Sequence, residues 1–410
     1  MGVAEELFGR ALGLEKPWQV VNIAFDQSQR RLNLYLDFPK GSSFPCPKCA
    51  ALCTVHDTVQ KSWRHLNFFE HECYLTARVP RVSCTTDGVH QVSLPWARSG
   101  SGFTLLFEAL AMVLVREMPV KAASRILNVY DNRLWRIMGH YVDKAREVAD
   151  YSMATAVGVD ETSIRKRHQY VSIVADLSRS RSIFACEGKD ATVLKRFVED
   201  LEAHGGSRDA ITEATIDMSP AFISGVQTHL PCAAVTFDKY HVVKIINDAV
   251  DHVRRMEAKT DHELKKLRYA FLKNRCSLTD GQREAVERLE SLPGRLRKTI
   301  RALHIRESFQ ALYQESSLAD FTAGLKKWYW WASHSRLEPM KDAARTIKNH
   351  WNGILRWWHS RASNGILEGL NSLIQAAKAK ARGYRTSRNF IIMIYLLTGK
   401  LDFSKTGLPT

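Results

Sequence analysis

No run of about eighteen apolar residues occurs in the chain, which excludes a helix that spans a membrane. The first residues, MGVAEELFGRALGLEKPW, lack the basic start and the long apolar run of a secretory signal. Glu6 stands where a myristoylation signal needs Ser or Thr. There is no internal repeat and no low-complexity segment. A cytoplasmic protein is expected, with no membrane partner, and reduced thiols make a disulfide framework out of place. Acids are also scarce: 43 Asp and Glu face 59 Lys and Arg, a net charge of +16. An excess of that size points to a polyanionic partner, most often nucleic acid. The rest is ordinary for a globular protein, with 45% hydrophobic and 25% charged residues. A length of 410 residues suits two or three domains.

Five of the eight cysteines fall between Cys46 and Cys84. In CPKC, Cys46 and Cys49 have the spacing of a zinc knuckle. The second half of the site is expected in VSCTTDGVH, from Cys84 with Asp87 or His90 as fourth ligand. Cys53 and His56 are rival ligands, while Cys73 alternates within a strand and reads as buried. Structural Zn²⁺ is the reading weighed against plain buried thiols. Residues 19–38 read as a hairpin, and PWARSGSGF (95–103) as a linker.

MPVKAASRILNVYDNRLWRIMGHYV divides into two helices around a turn at Asn128 to Asp131. The first starts near Pro119 and buries Ala123 with Ile126 or Leu127; the second is capped by Asp131 and buries Leu134, Met138 and Tyr141. Asn132, Arg133 and Arg136 then face outward at the start of the second helix, where a recognition helix meets DNA.

From Ala154 the text changes to short apolar runs. The order is three strands, a helix, a strand, a helix and a strand, which is that of the ribonuclease H fold. Asp160 ends the first strand and Asp217 the fourth. If those strands are neighbours, both carboxylates meet at one edge. A third acid, Glu368, stands on a late helix whose stripe is Leu367, Leu370, Ile374, Ala377 and Ala381. Around it lie Arg361, Lys378, Lys380, Arg382, Arg385 and Arg388, a basic surface for phosphates. Three carboxylates suit two Mg²⁺ (or Mn²⁺) ions about 4 Å apart. The tryptophans of KKWYWWASHSR and HWNGILRWWHSR read mainly as helical core.

The motifs CPKC, REMPVKAASRIL, VGVDETS, ATIDMSPAF, FDKYHVVKIINDAVDHVRR and SNGILEGLNSLIQAAKAKARGY together resemble the DDE transposases of the ISL-three insertion-sequence group. The resemblance runs from Glu15 to Leu401. It implies Asp160, Asp217 and Glu368 as the catalytic, metal-binding triad. It also implies Asp238 and His241 as residues behind the site. The family often has His where this chain has Asp87, which keeps His90 in contention. The implied fold is a multidomain α/β and α+β chain: zinc-binding domain 1–98, helix-turn-helix domain 103–150, and a ribonuclease H-like core over 151–249 and 346–410, interrupted by a helical insertion at 250–345. The implied activity is binding of terminal inverted repeats, hydrolysis at the element ends, and joining of the 3′-hydroxyl to target DNA, by a homodimer on bacterial, nucleoid-associated DNA. Lys378, Lys380, Arg382 and Arg385 then hold DNA, as do Asn132, Arg133 and Arg136. Two other readings compete: a silent DNA-binding regulator descended from such an enzyme, and a nuclease that cuts without joining. All three acids are present, which favours the transposase.

Overall fold

A computed structural model describes residues 2–165, 169–291, 297–359 and 363–409. The chain divides into two compact units, Met1–Val148 with Leu401–Thr410, and Ala149–Lys400.

The first unit opens with helix α1 (Val3–Ala11) and a sheet of β1 (Gln19–Asp26), β2 (Arg31–Asp37), β3 (Ser43–Pro45), β4 (Leu52–Arg64), β5 (Glu72–Cys84) and β6 (Gly88–Gln91). The strand order is β1-β2-β5-β4-β3, with β6 on β5. The expected hairpin is β1 with β2, antiparallel. Alternation sets its core: Leu32, Leu34 and Leu36 of β2 and Cys73, Leu75, Ala77 and Val79 of β5 point inward. The segment 95–103, read as a linker, is instead packed structure. Trp96 lies in the core, edge-on to Trp18 at 4.8 Å. The Gly102 carbonyl accepts from the Arg64 amide at 3.0 Å. Two buried aromatic groups and a backbone bond outweigh the flexibility that Gly and Ser suggest. Helices α2 (Leu105–Glu117), α3 (Val120–Ile126) and α4 (Asp131–Glu147) follow.

The second unit carries β7 (Ala156–Arg165), β8 (Gln169–Asp176), β9 (Arg181–Glu187), helix α5 (Thr192–Ala203), β10 (Glu213–Ile216), α6 (Pro220–His229) and β11 (Ala234–Phe237). The sheet order is β11-β10-β7-β8-β9. Strands β7, β8 and β9 are antiparallel neighbours; β10 and β11 run parallel to β7. The first and fourth strands of the block are therefore paired, as the sequence reading requires. Helices α7 (Lys239–Glu257), α8 (Arg268–Leu272), α9 (Asp280–Ser291), α10 (Lys298–Leu312), α11 (Leu318–Ser333), α12 (Glu338–Asn349) and α13 (Trp351–Arg356) come next, then α14 (Ser363–Ala381) and α15 (Ser387–Thr398). Helix α7 crosses 249–250 without a break, and α12 crosses 345. Trp328 and Trp357 fill the core, whereas Trp330 is 64% exposed.

Side-chain alternation on β7 decides what reaches the site. Val157 and Val159 enter the main core with Val193, Leu194 and Phe197 of α5. Ala156 takes the other side, with Leu367 and Leu370 of α14, Ala175 and Leu177. Gly158, Asp160 and Thr162 share that second face by the two-residue period of a strand.

Candidate active site

Register brings the aspartates together. Glu213 of β10 pairs with Ala156 of β7, Ala214 with Val157 and Thr215 with Gly158. Continued by two residues, this pairing sets Asp217 opposite Asp160. Ile216 pairs with Phe237 of β11, so the same continuation sets Asp238 beside Asp217. Asp217 and Asp238 directly follow β10 and β11, which end at Ile216 and Phe237, whereas Asp160, expected at the end of its strand, lies midway along β7, because pairing with β8 carries that strand on to Arg165. Each is held by a local backbone amide: Asp160 Oδ1 accepts from Glu161 N at 2.6 Å, Asp217 Oδ1 from Ser219 N at 2.8 Å, and Asp238 Oδ1 from Tyr240 N at 2.8 Å. The last bond caps α7. Burial pushes the Asp160 carboxyl above the usual carboxylate range, against the Glu161 amide and the imidazole of His241; nearby Asp238 adds to the rise. Glu161, outside the sequence-derived triad, is raised too, first by burial and then by Asp217 and Asp160.

Helix α14 lies along β7, as a ladder of contacts shows. A β-carbon on Gly158 would stand 2.6 Å from Leu367 Cδ1. Asn371 Nδ2 donates to Asp160 Oδ2, Gln375 Nε2 to Thr162 Oγ1 at 2.6 Å, and Lys378 Nζ to the Ser163 carbonyl. Eleven residues of helix and five of strand each rise about 16 Å, so the two ladders keep step. Glu368, three residues before Asn371, is exposed. It borders an open cleft of about 630 Å³ with Lys239, Tyr240, Asn274, Arg275 and Gln310. Burial draws the Lys239 ammonium below its ordinary range, and Glu368 opposes that fall. Lys378 is tied to β7, while Lys380, Arg382 and Arg385 are exposed. Arg361 lies outside the described residues.

In the first unit, one ligand atom from each of Cys46, Cys49, Cys84 and Asp87 lies within 4.8 Å of the others. Cys49 Sγ and Cys84 Sγ are 3.5 Å apart, and Asp87 Oδ2 is 3.6 Å from both Cys46 Sγ and Cys84 Sγ. The knuckle at Cys46 is closed by bonds from Cys46 N to Ala51 O at 2.8 Å and from Ala50 N to Cys46 O at 2.9 Å. Amides of Asp87 and Thr86 hold the Cys84 thiol below its ordinary range. His90 instead engages the Asp87 carbonyl, 2.7 Å from its Nε2. Cys73 is buried, as alternation requires, and His56 is exposed. The donor set suits zinc: three thiolates and a carboxylate, four in number.

In α3 and α4, Ala123, Leu127, Leu134, Met138 and Tyr141 are buried, while Ile126 is 60% exposed. Leu127 therefore fills the place the sequence left open between the two. Asp131 is the first residue of α4 and makes no cap; Tyr130 precedes it as N-cap, with no side-chain bond. Asn132 and Arg136 are exposed. Arg133 is half-buried, its guanidinium 4.0 Å from the Phe103 ring centre.

A family profile for transposases of the ISL3 group matches residues 157–394, more than half of the chain. The chain belongs to the ISL3 transposase family. Within this transposase, a profile for the helix-turn-helix domain of family ISL3 matches residues 92–142. Another, for the zinc-finger of transposases IS204, IS1001, IS1096 and IS1165, matches residues 42–87. The transposase for insertion sequence element IS1557 of Mycobacterium tuberculosis is 25% identical over 429 positions, covering 95% of this chain and 94% of that protein. The transposase for insertion sequence element IS1001 of Bordetella parapertussis is 26% identical over 380 positions, covering 89% and 91%. The zinc-finger match ends at Asp87, short of His90. Among the described residues of this transposase, no helix is long and apolar enough to cross a membrane.

Sequence reasoning passed over Asn371, Gly158 and Lys239. For Asn371 a signal existed: three residues after Glu368, it shares a helix face with it. For Gly158 the signal was a glycine inside a strand, which marks a close approach.

Proposed function

We propose that this ISL3 transposase binds the terminal inverted repeats of an insertion sequence, hydrolyses DNA at the element ends, and joins the freed 3′-hydroxyl to target DNA. The observation that carries this reading is the register that sets Asp217 opposite Asp160, on a sheet whose order is that of a ribonuclease H-like core. Asp160, Asp217 and Glu368 would hold Mg²⁺ or Mn²⁺, since an all-oxygen donor set suits those ions. Two such ions, when bound, stabilise the attacking and leaving oxygens of phosphoryl transfer. In the first step a water oxygen bonds to phosphorus and the 3′-oxygen leaves, to become the 3′-hydroxyl. In the second, that hydroxyl oxygen bonds to a target phosphorus and displaces the target's own 3′-oxygen. No covalent intermediate with the protein is needed. Asp238 and His241 act behind the triad through their charges on Asp160. The helices between α7 and α12 form the insertion. Exposed bases on and after α14, including Lys380, Arg382 and Arg385, hold backbone phosphates that the acids alone would repel. Cys46, Cys49, Cys84 and Asp87 hold structural zinc, and α4 contacts the repeat through Asn132 and Arg136. A homodimer on DNA would present two such sites to the two ends.

The test is cleavage and joining of a labelled element-end duplex, with binding followed in parallel. Asp160→Ala, Asp217→Ala and Glu368→Ala each lose both reactions by orders of magnitude, while end binding stays within a few fold. Glu187→Ala, on an exposed residue at the end of β9, keeps activity. Glu161 is unsuitable as a control because it stands beside the aspartates. Wild-type cleavage by any of the three triad variants removes that residue from the site.

A further inference from the structure

The Asp160 carboxylate has two hydrogen-bond donors, one on each oxygen. Glu161 N holds Oδ1 at 2.6 Å, and Asn371 Nδ2 donates to Oδ2. An ionised carboxylate accepts only, with about four lone-pair sites. Two are taken, and the side chain can no longer rotate about its last bond without breaking one of them. Asn371 follows Glu368 by three residues on the same helix, so whatever fixes Asn371 against β7 also fixes where Glu368 begins. Leu367, against Gly158, seats the helix one turn earlier.

We infer that Asn371 is a positioning residue: it fixes the orientation of the Asp160 carboxylate and locks it in register with the helix that carries Glu368. This rests on the reading of Asp160 and Glu368 as metal ligands. The bond joins residues 211 apart in sequence and lies between the Leu367–Gly158 contact on one side and the bonds of Gln375 to Thr162 and of Lys378 to Ser163 on the other. Partners behind a metal-binding side chain typically govern affinity or activity by about 10–100-fold.

The test uses the full chain and Mn²⁺, followed by the loss of the free-ion electron paramagnetic resonance signal, with cleavage measured separately. Asn371→Ala removes the donor; Asn371→Leu removes it while keeping the volume and the helix, and guards against a variant that fails to fold. Both weaken Mn²⁺ binding by about 10–100-fold and raise the Mg²⁺ needed for half-maximal cleavage in proportion. Gln375→Ala, which loses a bond between the same helix and strand one turn away, leaves Mn²⁺ binding within twofold. Wild-type Mn²⁺ binding by both Asn371 variants overturns the inference. So does an equal loss in Gln375→Ala, which assigns the effect to helix docking. Asp160→Ala separates the two readings: if it too binds Mn²⁺ normally, the metal site itself falls; if it alone loses the ion, only the role of Asn371 does.

Discussion

Leu367 lies against Gly158 so closely that a β-carbon there would meet three of its side-chain carbons at 2.6–2.8 Å. Leu367 is itself buried with Ala175 and Leu177, so it has little room to give way. The contact sets how near α14 comes to β7, and with it the level of Asn371 and Glu368.

Gly158→Ala therefore overpacks the strand–helix contact, at a cost of about 1–3 kcal/mol. The expected result is a lowered melting temperature together with a larger loss of cleavage than of end binding. Leu367→Ala in the same chain makes room for the new methyl and restores part of the activity. Thermal unfolding and end cleavage of the single and double variants measure this. A fully active Gly158→Ala enzyme shows that the helix position is not set here.

The residues proposed to hold zinc separate by chemistry. Cys46→Ser and Asp87→Ala each lower the zinc content of the purified protein and loosen the first unit, because structural zinc contributes on the order of 10 kcal/mol to folding. His90→Ala keeps zinc, since His90 engages a carbonyl rather than the thiol cluster. Elemental analysis of the purified variants decides. Zinc lost with His90 but kept without Asp87 reverses the assignment.

Arg133 and Arg136 divide by environment. Arg136 is exposed, so Arg136→Ala weakens binding to the element end without changing thermal stability. Loss of a base contact costs about 1–3 kcal/mol and relaxes sequence preference, whereas loss of a phosphate contact mainly flattens the salt dependence. Arg133 covers the Phe103 ring, and Arg133→Ala also destabilises the first unit, by about 0.5–1 kcal/mol. Binding isotherms at several salt concentrations, beside melting curves, test the split. Equal effects of both substitutions on stability would contradict it.

Much of this protein was legible along the chain because the signals are local. The CxxC spacing, the order of strands and helices from Ala156 to Phe237, and the apolar stripe beside Glu368 each depend on near neighbours. Local reading failed where a short segment is overruled by packing. The Gly- and Ser-rich stretch 95–103 reads as a linker until Trp96 is seen in a core with Trp18. Asp131 reads as a helix cap until the helix is found to begin on it. Side-chain identity determined that thiols and acids were available, and the two-residue period of β7 determined that Gly158, Asp160 and Thr162 share a face. Only the tertiary structure decided their partners. The level of Asp217 against Asp160 comes from a pairing between segments 57 residues apart, and the meeting of Asn371 with Asp160 from a helix 211 residues away. Such placements arise from register and from the closeness of backbones, which a chain of residues does not specify until the sheet and helix have packed.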